Sequence, residues 1–378
     1  MKIWLLRRRY NPAGGAERYT QRLAAWLHHR GHEVWIAAES WPDPSNEDYH
    51  LKRLPSNGLA AFARACSRHV VDPGDGLIFS LERTSRQHVF RAGDGVHSCW
   101  LKRRSRHQSS AARLWTSWSR KHQAILAMEK RVFTPEATDW ILANSSLVRR
   151  EILANSDYPA ERIRVIHPGV DLTRFQACPD ASRKNEVRRA LRLPQDAVVW
   201  CFVGSGFERK GLLWAIQISA ALRSQGVWLA VLGHGVRRRY LQAAAALQYE
   251  DRLCFMPEGT SSLDVYHASD AFILPTIYDP CSNATLEAAA CGLPVITTEA
   301  NGAVEWTRGV ALADPSRTDE CVEQCQIFAR PLQPDPAGLQ KIRAGLDENP
   351  CWDATLKLIS EAGTSIHPAL WEPPETTF

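Results

Sequence analysis

The amino-acid sequence predicts an α/β protein with two Rossmann-like halves, each built on a parallel sheet. A strand, a glycine-bearing loop, a helix and a second strand follow one another between residues 3 and 38, and the same order recurs between residues 197 and 232. The 378 residues are long for one such unit and sufficient for two. Doubly wound sheets bind ligands at the carboxyl ends of their strands, so we expect a ligand crevice there.

Short apolar runs predict the strands, and longer runs with a helical period predict the helices. In the first half, strands are expected at 3–6, 33–38, 77–81, 140–143 and 163–166, and helices at 16–30 and 111–133. In the second half, strands are expected at 197–203, 228–232, 271–274 and 294–297, and helices at 212–222 and 284–291. The polar stretch 179–192 is a linker or a connecting helix.

These elements predict three parts of the chain. An N-terminal Rossmann-like domain covers 1–180, and a C-terminal Rossmann-like domain covers 181–345. Residues 346–378 are expected to form a helix that returns to the N-terminal domain, followed by a poorly ordered tail after Ser365.

The composition is that of an ordinary globular protein, with 44% apolar and 23% charged residues. No apolar stretch reaches the roughly 18 residues of a membrane-spanning helix. The apolar run Ile3–Leu6 is followed by Arg7–Arg9, whereas an export signal carries its charges first, so none is predicted. The 10 cysteines form no pair of Cys-x-x-Cys knuckles, so we expect no zinc site and free thiols in a reducing cytoplasm.

The segment from Tyr278 to Val295 places two carboxylates around a predicted helix start. Asp279 precedes a helix that opens near Ser282 or Asn283, and Glu287 lies on its second turn. Backbone N–H groups at a helix start favour an anion, and carboxylates suit hydrogen bonding to sugar and ribose hydroxyls. An N-capping Asp and a solvated Glu are the alternative; the small residues and the Gly-Leu-Pro strand entry around them favour a binding site.

A second loop combines glycines with two cations. Gly204-Ser205-Gly206 follows a buried strand, and Arg209 and Lys210 come just after it. Glycines let the backbone approach a phosphate closely, and the two cations can neutralise a diphosphate leaving group. A tight turn with exposed cations is the alternative.

Two loops of the first half are further candidates. Gly14 and Gly15 form either a turn or a phosphate-facing loop, without the Lys-Ser/Thr of a P-loop or the spacing of a dinucleotide fingerprint. Asp94 and His97 lie in a glycine-flexible loop, where either could act as an acid–base group or contact an acceptor hydroxyl. A surface histidine and a turn aspartate are the alternative for this loop.

Basic residues and tryptophans are concentrated between Leu101 and Phe133, where Glu129 is the single acid. One helix face is approximated by Leu114, Trp118, Ile125, Met128 and Val132. A basic amphipathic helix with tryptophans fits peripheral binding to an anionic membrane surface. The residues expected at that surface are Lys102, Arg103, Arg104, Trp115 and Trp118. A helix packed on the core with a solvated basic face is the alternative, and nucleic acid is disfavoured because no recognised nucleic-acid module accompanies the patch.

Residues 279–295 resemble the signature of retaining glycosyltransferases of family 4, which have the GT-B fold with two Rossmann-like domains facing each other across a cleft. That signature is a Glu, seven residues, a second Glu and an Ala-Cys-Gly-x-Pro-Val run. Here Glu287 is the second Glu, and Asp279 replaces the first. Other segments that are similar to the family are Gly14-Gly15, Ala143–Ser146, Ile166–Phe175 and Arg209-Lys210-Gly211.

Three segments, Arg91–Trp100, Tyr278–Pro280 and Ala300–Ala303, are most similar to the lipopolysaccharide core glucosyltransferase branch. The resemblance implies a cytoplasmic enzyme, peripheral on the inner face of the cytoplasmic membrane. Such an enzyme moves glucose from UDP-glucose, with retention, to a heptose of the lipid-linked core.

The resemblance also implies that the N-terminal domain (1–180) binds the acceptor and the C-terminal domain (181–345) binds the nucleotide sugar, and it implies a role for each candidate residue. Asp279 would hold sugar hydroxyls and Glu287 the ribose, while Asp94, or else His97, would face the acceptor. The donor phosphates would contact Gly14, Gly15, Gly204, Arg209, Lys210, Ser282, Asn283 and Ala284. No metal or other cofactor is expected, because the two cations neutralise the diphosphate.

Other interpretations stay open. A sugar-nucleotide epimerase of the same fold would act without an acceptor, and a non-catalytic module would bind UDP-sugar or membrane without transfer. A phosphorylase would need a pyridoxal-bearing lysine context, which the sequence lacks. A nicotinamide oxidoreductase is disfavoured because Arg238 stands where a third glycine of the fingerprint is expected.

Overall fold

The computed structural model describes residues 1–12, 14–44, 48–70, 76–333 and 335–364. The chain divides into two compact units. Unit 1 comprises Met1–Pro168 together with the segment that begins at Asn349, and unit 2 comprises Gly169–Glu348. Each unit contains one parallel sheet, so the predicted fold class is confirmed. The predicted tail after Ser365 lies outside the described residues.

Unit 1 is built on a seven-stranded parallel sheet with the strand order β3-β2-β1-β4-β5-β6-β7. Its strands are β1 Lys2–Leu6, β2 Glu33–Ala38, β3 His50–Arg53, β4 Leu77–Ser80, β5 Gln87–Arg91, β6 Thr138–Ala143 and β7 Ile163–Val165. The order reverses between β1 and β4, which are neighbours although two strands separate them along the chain. Such a switch point leaves a crevice at the carboxyl ends of the strands.

The helices that connect these strands cover the sheet. They are α1 Gly15–His29, α2 Leu59–His69, α3 His97–Ser105, α4 Ser110–Ser117, α5 Arg120–Val132 and α6 Ser146–Asn155, with a 3-10 turn at Ala160–Arg162. The prediction of one continuous helix over 111–133 is wrong. The helical stretch is interrupted after Trp118, the C-cap of α4, because Ser119 takes an extended conformation (ψ 108°) before α5 begins.

Unit 2 repeats the architecture with a six-stranded parallel sheet. Its strands are β8 Val198–Val203, β9 Val227–Leu232, β10 Leu253–Phe255, β11 Ala271–Leu274, β12 Val295–Thr298 and β13 Gly309–Leu312, in the spatial order β10-β9-β8-β11-β12-β13. Its helices are α7 Ala181–Ala190, α8 Phe207–Lys210, α9 Leu212–Ala221, α10 Arg238–Ala246, α11 Ser262–Ala268, α12 Asn283–Ala290, α13 Thr318–Cys325 and α14 Pro336–Leu346. Short 3-10 turns cover Arg223–Gln225, Gly302–Trp306 and Gln326–Phe328.

The polar stretch after residue 179 is a connecting helix rather than a linker. Asp180 caps α7 by accepting a hydrogen bond from the backbone N–H of Arg183 at 2.8 Å. A capping aspartate satisfies one of the N–H groups that have no partner within the helix.

The predicted boundaries at residues 180 and 345 are displaced from the observed ones. Val170 and Phe175 are buried in the core of unit 2, and the N–H of Val170 donates to the carbonyl of Leu346 at 2.8 Å. The start and the end of unit 2 are therefore held together. The last helix, α15 Glu348–Thr364, buries Trp352, Leu358 and Ile359 in the core of unit 1, against residues such as Ile3 and Tyr19.

Candidate active site

In unit 2, two loops leave the sheet at its switch point, where β8 and β11 are neighbours. The loop after β8 leads into α8, and the loop after β11 leads into α12. Gly211, at φ +80°, joins α8 to α9, and a side chain there would collide with the carbonyl of Pro275. The N–H of Ile277 donates to the carbonyl of Arg209 at 2.9 Å, so the loops are fastened to each other.

This arrangement brings Arg209, Lys210 and Asp279 together. Arg209 Nη1 lies 3.2 Å from Asp279 Oδ2 and donates to the carbonyl of Tyr278 at 3.0 Å. Lys210 Nζ donates to the same carboxylate oxygen and lies 3.4 Å from Ser282 Oγ. Two cations thus share one carboxylate, which leaves an excess of positive charge.

Burial and charge act against each other in this cluster. Burial disfavours the ionised form of Asp279, but Lys210 and Arg209 outweigh it and hold the pKa of the carboxyl below its usual value. Burial lowers the pKa of the Lys210 ammonium, and the charge of Asp279 opposes that change. Gly204 lies against the Lys210 stem, since a Cβ at residue 204 would come within 3.5 Å of it.

The start of α12 adds N–H groups to the same corner. Ser282 caps the helix and accepts from the N–H of Thr285 at 3.4 Å, and Asn283 and Ala284 form the half-buried first turn. The N–H of Gly302 donates to the carbonyl of Asp279 at 2.9 Å, which ties the loop to the chain after β12. A helix start beside cations is a favourable place for a phosphate.

Sequence reasoning missed the role of Asn301, which is fully buried. Its Oδ1 accepts from the N–H groups of Ser282 (3.3 Å) and Ala303 (3.1 Å). Its Nδ2 donates to the hydroxyls of Thr285 (3.0 Å) and Thr297 (2.9 Å). Asn301 therefore uses all four of its hydrogen-bonding positions to fix the start of α12. The sequence signals were the resemblance of the segment Ala300–Ala303 to the glucosyltransferase branch and an amide next to a glycine after a predicted strand.

Glu287 lies on the second turn of α12 and is half-buried. Tyr266 donates its hydroxyl to Glu287 Oε2 at 3.0 Å. Burial and the neighbouring carboxylate raise the pKa of Tyr266 well above its usual value, so the phenol stays a donor. The carboxylate of Glu287 is held in one orientation by this bond.

In unit 1, Gly15 begins α1, and Gly14 precedes it without a capping side chain. The carboxylate of Glu17 occupies the space where a side chain of Gly14 would lie. Arg7, which follows β1, pairs with Glu17 at 2.9 Å and with Glu82 at 3.2 Å. The structure therefore places the glycine loop beside paired charges at the switch point of unit 1.

The side chain of Asp94 is 56% exposed, and its Oδ2 lies 3.8 Å from Arg7 Nη1. His97 is the first residue of α3, and its Nε2 lies 3.2 Å from Nδ1 of His122. Burial, followed by the positive charge of Arg83, lowers the pKa of His97 to about 4. The imidazole is therefore neutral near pH 7.

Glu129 is the residue that holds this loop, and sequence reasoning assigned it no role. Its carboxylate accepts from the backbone N–H groups of His97 (2.6 Å) and Ser98 (3.0 Å) and pairs with Arg83 at 3.0 Å. Arg83 also donates to the carbonyl of Gly95 at 2.9 Å. Glu129, the single acid of the basic segment, is thus buried and caps α3. The sequence signal for this role was that Glu129 is the only acidic residue between Leu101 and Phe133.

The predicted membrane-surface residues divide into two groups. Trp115 and Trp118 are 82% and 73% exposed, and Lys102 is exposed as well. Arg103 instead pairs with Glu151 at 2.9 Å, and Arg104 lies over the ring of Trp100 at 5.1 Å. The prediction that Leu114, Trp118, Ile125, Met128 and Val132 share one apolar helix face is wrong. The chain breaks after α4, so Leu114 and Trp118 are exposed while Val132 is buried.

All ten cysteines are free thiols. In the part of the chain that the structure describes, no three His, Cys, Asp or Glu side chains are grouped so that they could hold a metal ion. None of the described helices combines the length and the apolar character needed to cross a membrane.

Comparison with known proteins now defines the class. The family model "Glycosyltransferase Family 4" matches residues 13–174, and the model "Glycosyl transferases group 1" matches residues 197–330. The first match lies almost wholly in unit 1 and the second in unit 2. The chain belongs to the glycosyltransferases of the GT-B fold.

Among individual proteins, the chain is related to the lipopolysaccharide glucosyltransferase WaaG of Escherichia coli (strain K12). The two are 21% identical over 330 residues, which cover 83% of this chain and 86% of WaaG. The D-inositol 3-phosphate glycosyltransferase of Salinispora tropica is 32% identical over 182 residues, 43% of this chain and 37% of that protein. The chain thus matches well under half of the length of this second relative.

Two solved structures share the fold. The crystal structure of WaaG superposes with a TM-score of 0.72 at 18% identity, covering 96% of this chain and 95% of WaaG. The structure of Anabaena HepE in complex with UDP-glucose superposes with a TM-score of 0.66 at 17% identity, covering 96% of this chain and all of that one (100%).

Proposed function

We propose that the protein transfers a glucosyl group from UDP-glucose, with retention, to a lipid-linked glycan such as a heptose of the lipopolysaccharide core. The observation that carries the proposal is the excess of positive charge where Arg209 and Lys210 share Asp279 beside the start of α12. Such a site stabilises a departing diphosphate. The UDP-glucose bound in HepE and the activity named for WaaG support this donor and this acceptor.

Each donor-side residue has a role in this proposal. Arg209 and Lys210 neutralise the diphosphate, Asp279 accepts hydrogen bonds from sugar hydroxyls, and Glu287, oriented by Tyr266, binds the ribose. The backbone N–H groups of Ser282, Asn283 and Ala284 at the start of α12, and the backbone of Gly204, approach the phosphates. The shorter side chain of Asp279, compared with the Glu of the family signature, is already engaged by two cations, which fixes its position before the sugar arrives.

The reaction needs neither a protein nucleophile nor a metal ion. The acceptor hydroxyl attacks the anomeric carbon on the face from which the diphosphate departs. The new C–O bond forms as the bond to the phosphate breaks, and the hydroxyl proton passes to the departing phosphate oxygen. Asp94 is the first choice for contacting the acceptor hydroxyl and His97 the second, and the neutral imidazole of His97 can accept or donate one hydrogen bond.

The proposal places the enzyme in the cytoplasm, on the inner face of the cytoplasmic membrane. The basic segment α3–α5 presents exposed Trp115, Trp118 and Lys102, a combination that binds anionic lipid surfaces. A membrane-borne acceptor and a membrane-bound enzyme would then meet at the same surface.

The test is to incubate the protein with a panel of labelled sugar nucleotides and a membrane glycolipid extract, followed by mass spectrometry of the lipids. We expect one added hexose from UDP-glucose and an α linkage by NMR. A changed sugar nucleotide in the absence of extract would indicate an epimerase. UDP binding by titration calorimetry without transfer to any lipid would indicate a non-catalytic module, and either result contradicts the proposal.

A further inference from the structure

Buried cations in the described residues carry their own counter-charges, with one exception. Arg83 lies 3.0 Å from Glu129, Arg188 lies 2.8 Å from Asp270, and Lys210 binds Asp279. Arg91 is as buried as these, with only 6% of its surface exposed. Within the described ranges, however, no carboxylate lies within 4.0 Å of its guanidinium. An unpaired buried charge is costly, so this exception requires an explanation.

One face of the guanidinium of Arg91 packs on the ring of Tyr19, and the guanidinium also hydrogen-bonds the Tyr19 hydroxyl. Arg91 is the last residue of β5, and its Cζ lies 3.7 Å from the ring centroid of Tyr19 on α1. Its Nε has no hydrogen-bond partner. Stacking on an aromatic ring fixes the plane of a guanidinium and leaves the in-plane N–H groups to receive a carboxylate or phosphate.

Gly93 makes room for the guanidinium of Arg91. A Cβ at residue 93 would collide with Arg91 Nη1, so a side chain here would displace the guanidinium. Gly93 has no positive φ, so backbone strain does not call for glycine at this position. The absence of a side chain therefore matters for the space next to Arg91.

A second unsatisfied polar atom borders the same glycine. Asn144 is 3% exposed, and its Nδ2 donates to the carbonyl of Gly93 at 3.2 Å. Its Oδ1 has no hydrogen-bond partner. Buried amides are normally satisfied, so the surroundings of Gly93 hold both a donor group and an acceptor atom that the chain itself does not use.

We propose that Arg91 binds an anionic group, a phosphate or a carboxylate, of the acceptor glycan, and that Asn144 accepts a hydrogen bond from a neighbouring hydroxyl. The site lies at the carboxyl end of β5, in the loop that leads to Asp94. The ligand's negative charge supplies the counter-charge that Arg91 lacks, through paired N–H···O bonds. The inference rests on the proposed function only in naming the ligand an acceptor.

The first test is the melting temperature in inorganic phosphate and in acetate, at ionic strength matched with KCl. The variant Arg91→Met removes an unpaired charge, so without anion it should melt at or above the wild type. Arg188→Met is the matched control, since it removes a buried but paired arginine and should melt lower. Phosphate or acetate should raise the melting temperature of the wild type by about 2 °C more than that of Arg91→Met.

The anion that gives the larger increase in melting temperature, inorganic phosphate or acetate, shows whether the site prefers a phosphate or a carboxylate. Binding of phosphate elsewhere, for example at Lys210, is common to both proteins and cancels in the comparison. Gly93→Ala keeps the charge but displaces the guanidinium, and it should lose the same response. An equal response of wild type and Arg91→Met would overturn the proposal, and so would an Arg91→Met protein that melts well below the wild type or fails to fold.

The second test uses glycolipid acceptor before and after phosphatase treatment or methylation of its carboxylates. For the wild type, removal of the recognised anion should raise the acceptor KM about tenfold or more, with kcat little changed. Arg91→Met should show the raised KM with either acceptor, and its affinity for UDP should be that of the wild type. An acceptor KM that does not depend on the anion overturns the inference. If the wild type transfers no sugar at all, the proposed function fails, while the anion-dependent melting still decides on the site.

Discussion

Strand β11 has one aspartate immediately before it and another in the loop that follows it, and both aspartates are paired with one lysine and one arginine. Asp270, before the strand, binds Lys184 (2.5 Å) and Arg188 (2.8 Å). Asp279, after the strand, binds Arg209 and Lys210. Both carboxylates are nearly inaccessible, with side-chain exposures of 4% and 7%. The same three side-chain types therefore occur at both ends of one strand.

The surroundings of the two clusters differ. Arg188 is 4% exposed and also donates to backbone carbonyls at four residues, Pro194, Gln195, Ala197 and Ala268. Arg209 is 41% exposed, and its only described acceptors are Asp279 and the carbonyl of Tyr278. Backbone carbonyls thus accept hydrogen bonds from the guanidinium of Arg188 in the Asp270 cluster, whereas N–H groups of Arg209 in the Asp279 cluster stay available to a ligand. The first arrangement serves stability, and the second is suited to binding an anion.

The largest effect should come from removing the saturated arginine. Arg188→Met leaves Asp270 and several carbonyls without their donor, so it should lower the free energy of unfolding by about 3–5 kcal/mol. Arg209→Met removes a half-exposed cation and should cost less than about 1 kcal/mol. Urea denaturation of the two variants checks this difference. Equal losses of unfolding free energy in the two variants would show that the Asp270 and Asp279 clusters contribute to stability in the same way.

A second effect concerns turnover. Lys210→Ala should lower the rate of sugar transfer by roughly 100-fold, about 3 kcal/mol, because the diphosphate loses a charged donor. Lys184→Ala is the matched control, since it also removes a lysine from a buried aspartate of unit 2, and it should keep near-normal turnover. Both proteins are assayed with UDP-glucose and glycolipid extract, after circular dichroism has shown that each is folded. Near-normal activity of Lys210→Ala would refute the role given to it.

The smallest effect is a dependence of stability on acid pH. The folded-state pKa of Asp279 is depressed by Lys210 and Arg209, so its contribution to stability is present above the ordinary Asp pKa of about 4 and is lost as pH falls through the folded value. The wild type should therefore lose more unfolding free energy than Asp279→Asn between pH 5 and pH 3. Parallel curves for the two proteins in urea titrations would show that the cations do not stabilise this carboxylate.

Much of the fold follows from local patterns. Short apolar runs predicted β1, β2, β6, β8, β9 and β11, because a parallel strand covered on both faces needs a continuous apolar run. The strands β3, β5, β10 and β13 escaped prediction, and the first two show why. β3 reads His-Leu-Lys-Arg and lies at the edge of the sheet with mostly exposed side chains, so it has no continuous apolar run. β5 reads Gln-His-Val-Phe-Arg, and its buried Gln87 and His88 are satisfied by tertiary hydrogen bonds that no local pattern reveals.

The candidate site was predictable to the extent that topology fixes it. Arg209, Lys210 and Asp279 were expected at one crevice because each follows a strand next to the switch point, and the structure brings them into contact. The sequence did not reveal that Asp279 pairs with both cations, since an ion pair between loops depends on side-chain distances. The inward turn of Glu129 was hidden for the same reason.

The discontinuity of unit 1 has a consequence for biosynthesis. Its core includes Trp352, Leu358 and Ile359, which are synthesised after the whole of unit 2, whereas unit 2 is one uninterrupted stretch from Gly169 to Glu348. The half that comes second along the chain is therefore the first with all of its residues available, at synthesis rates of about 5–20 residues per second. Unit 1 waits with part of its sheet uncovered until α15 emerges to complete it.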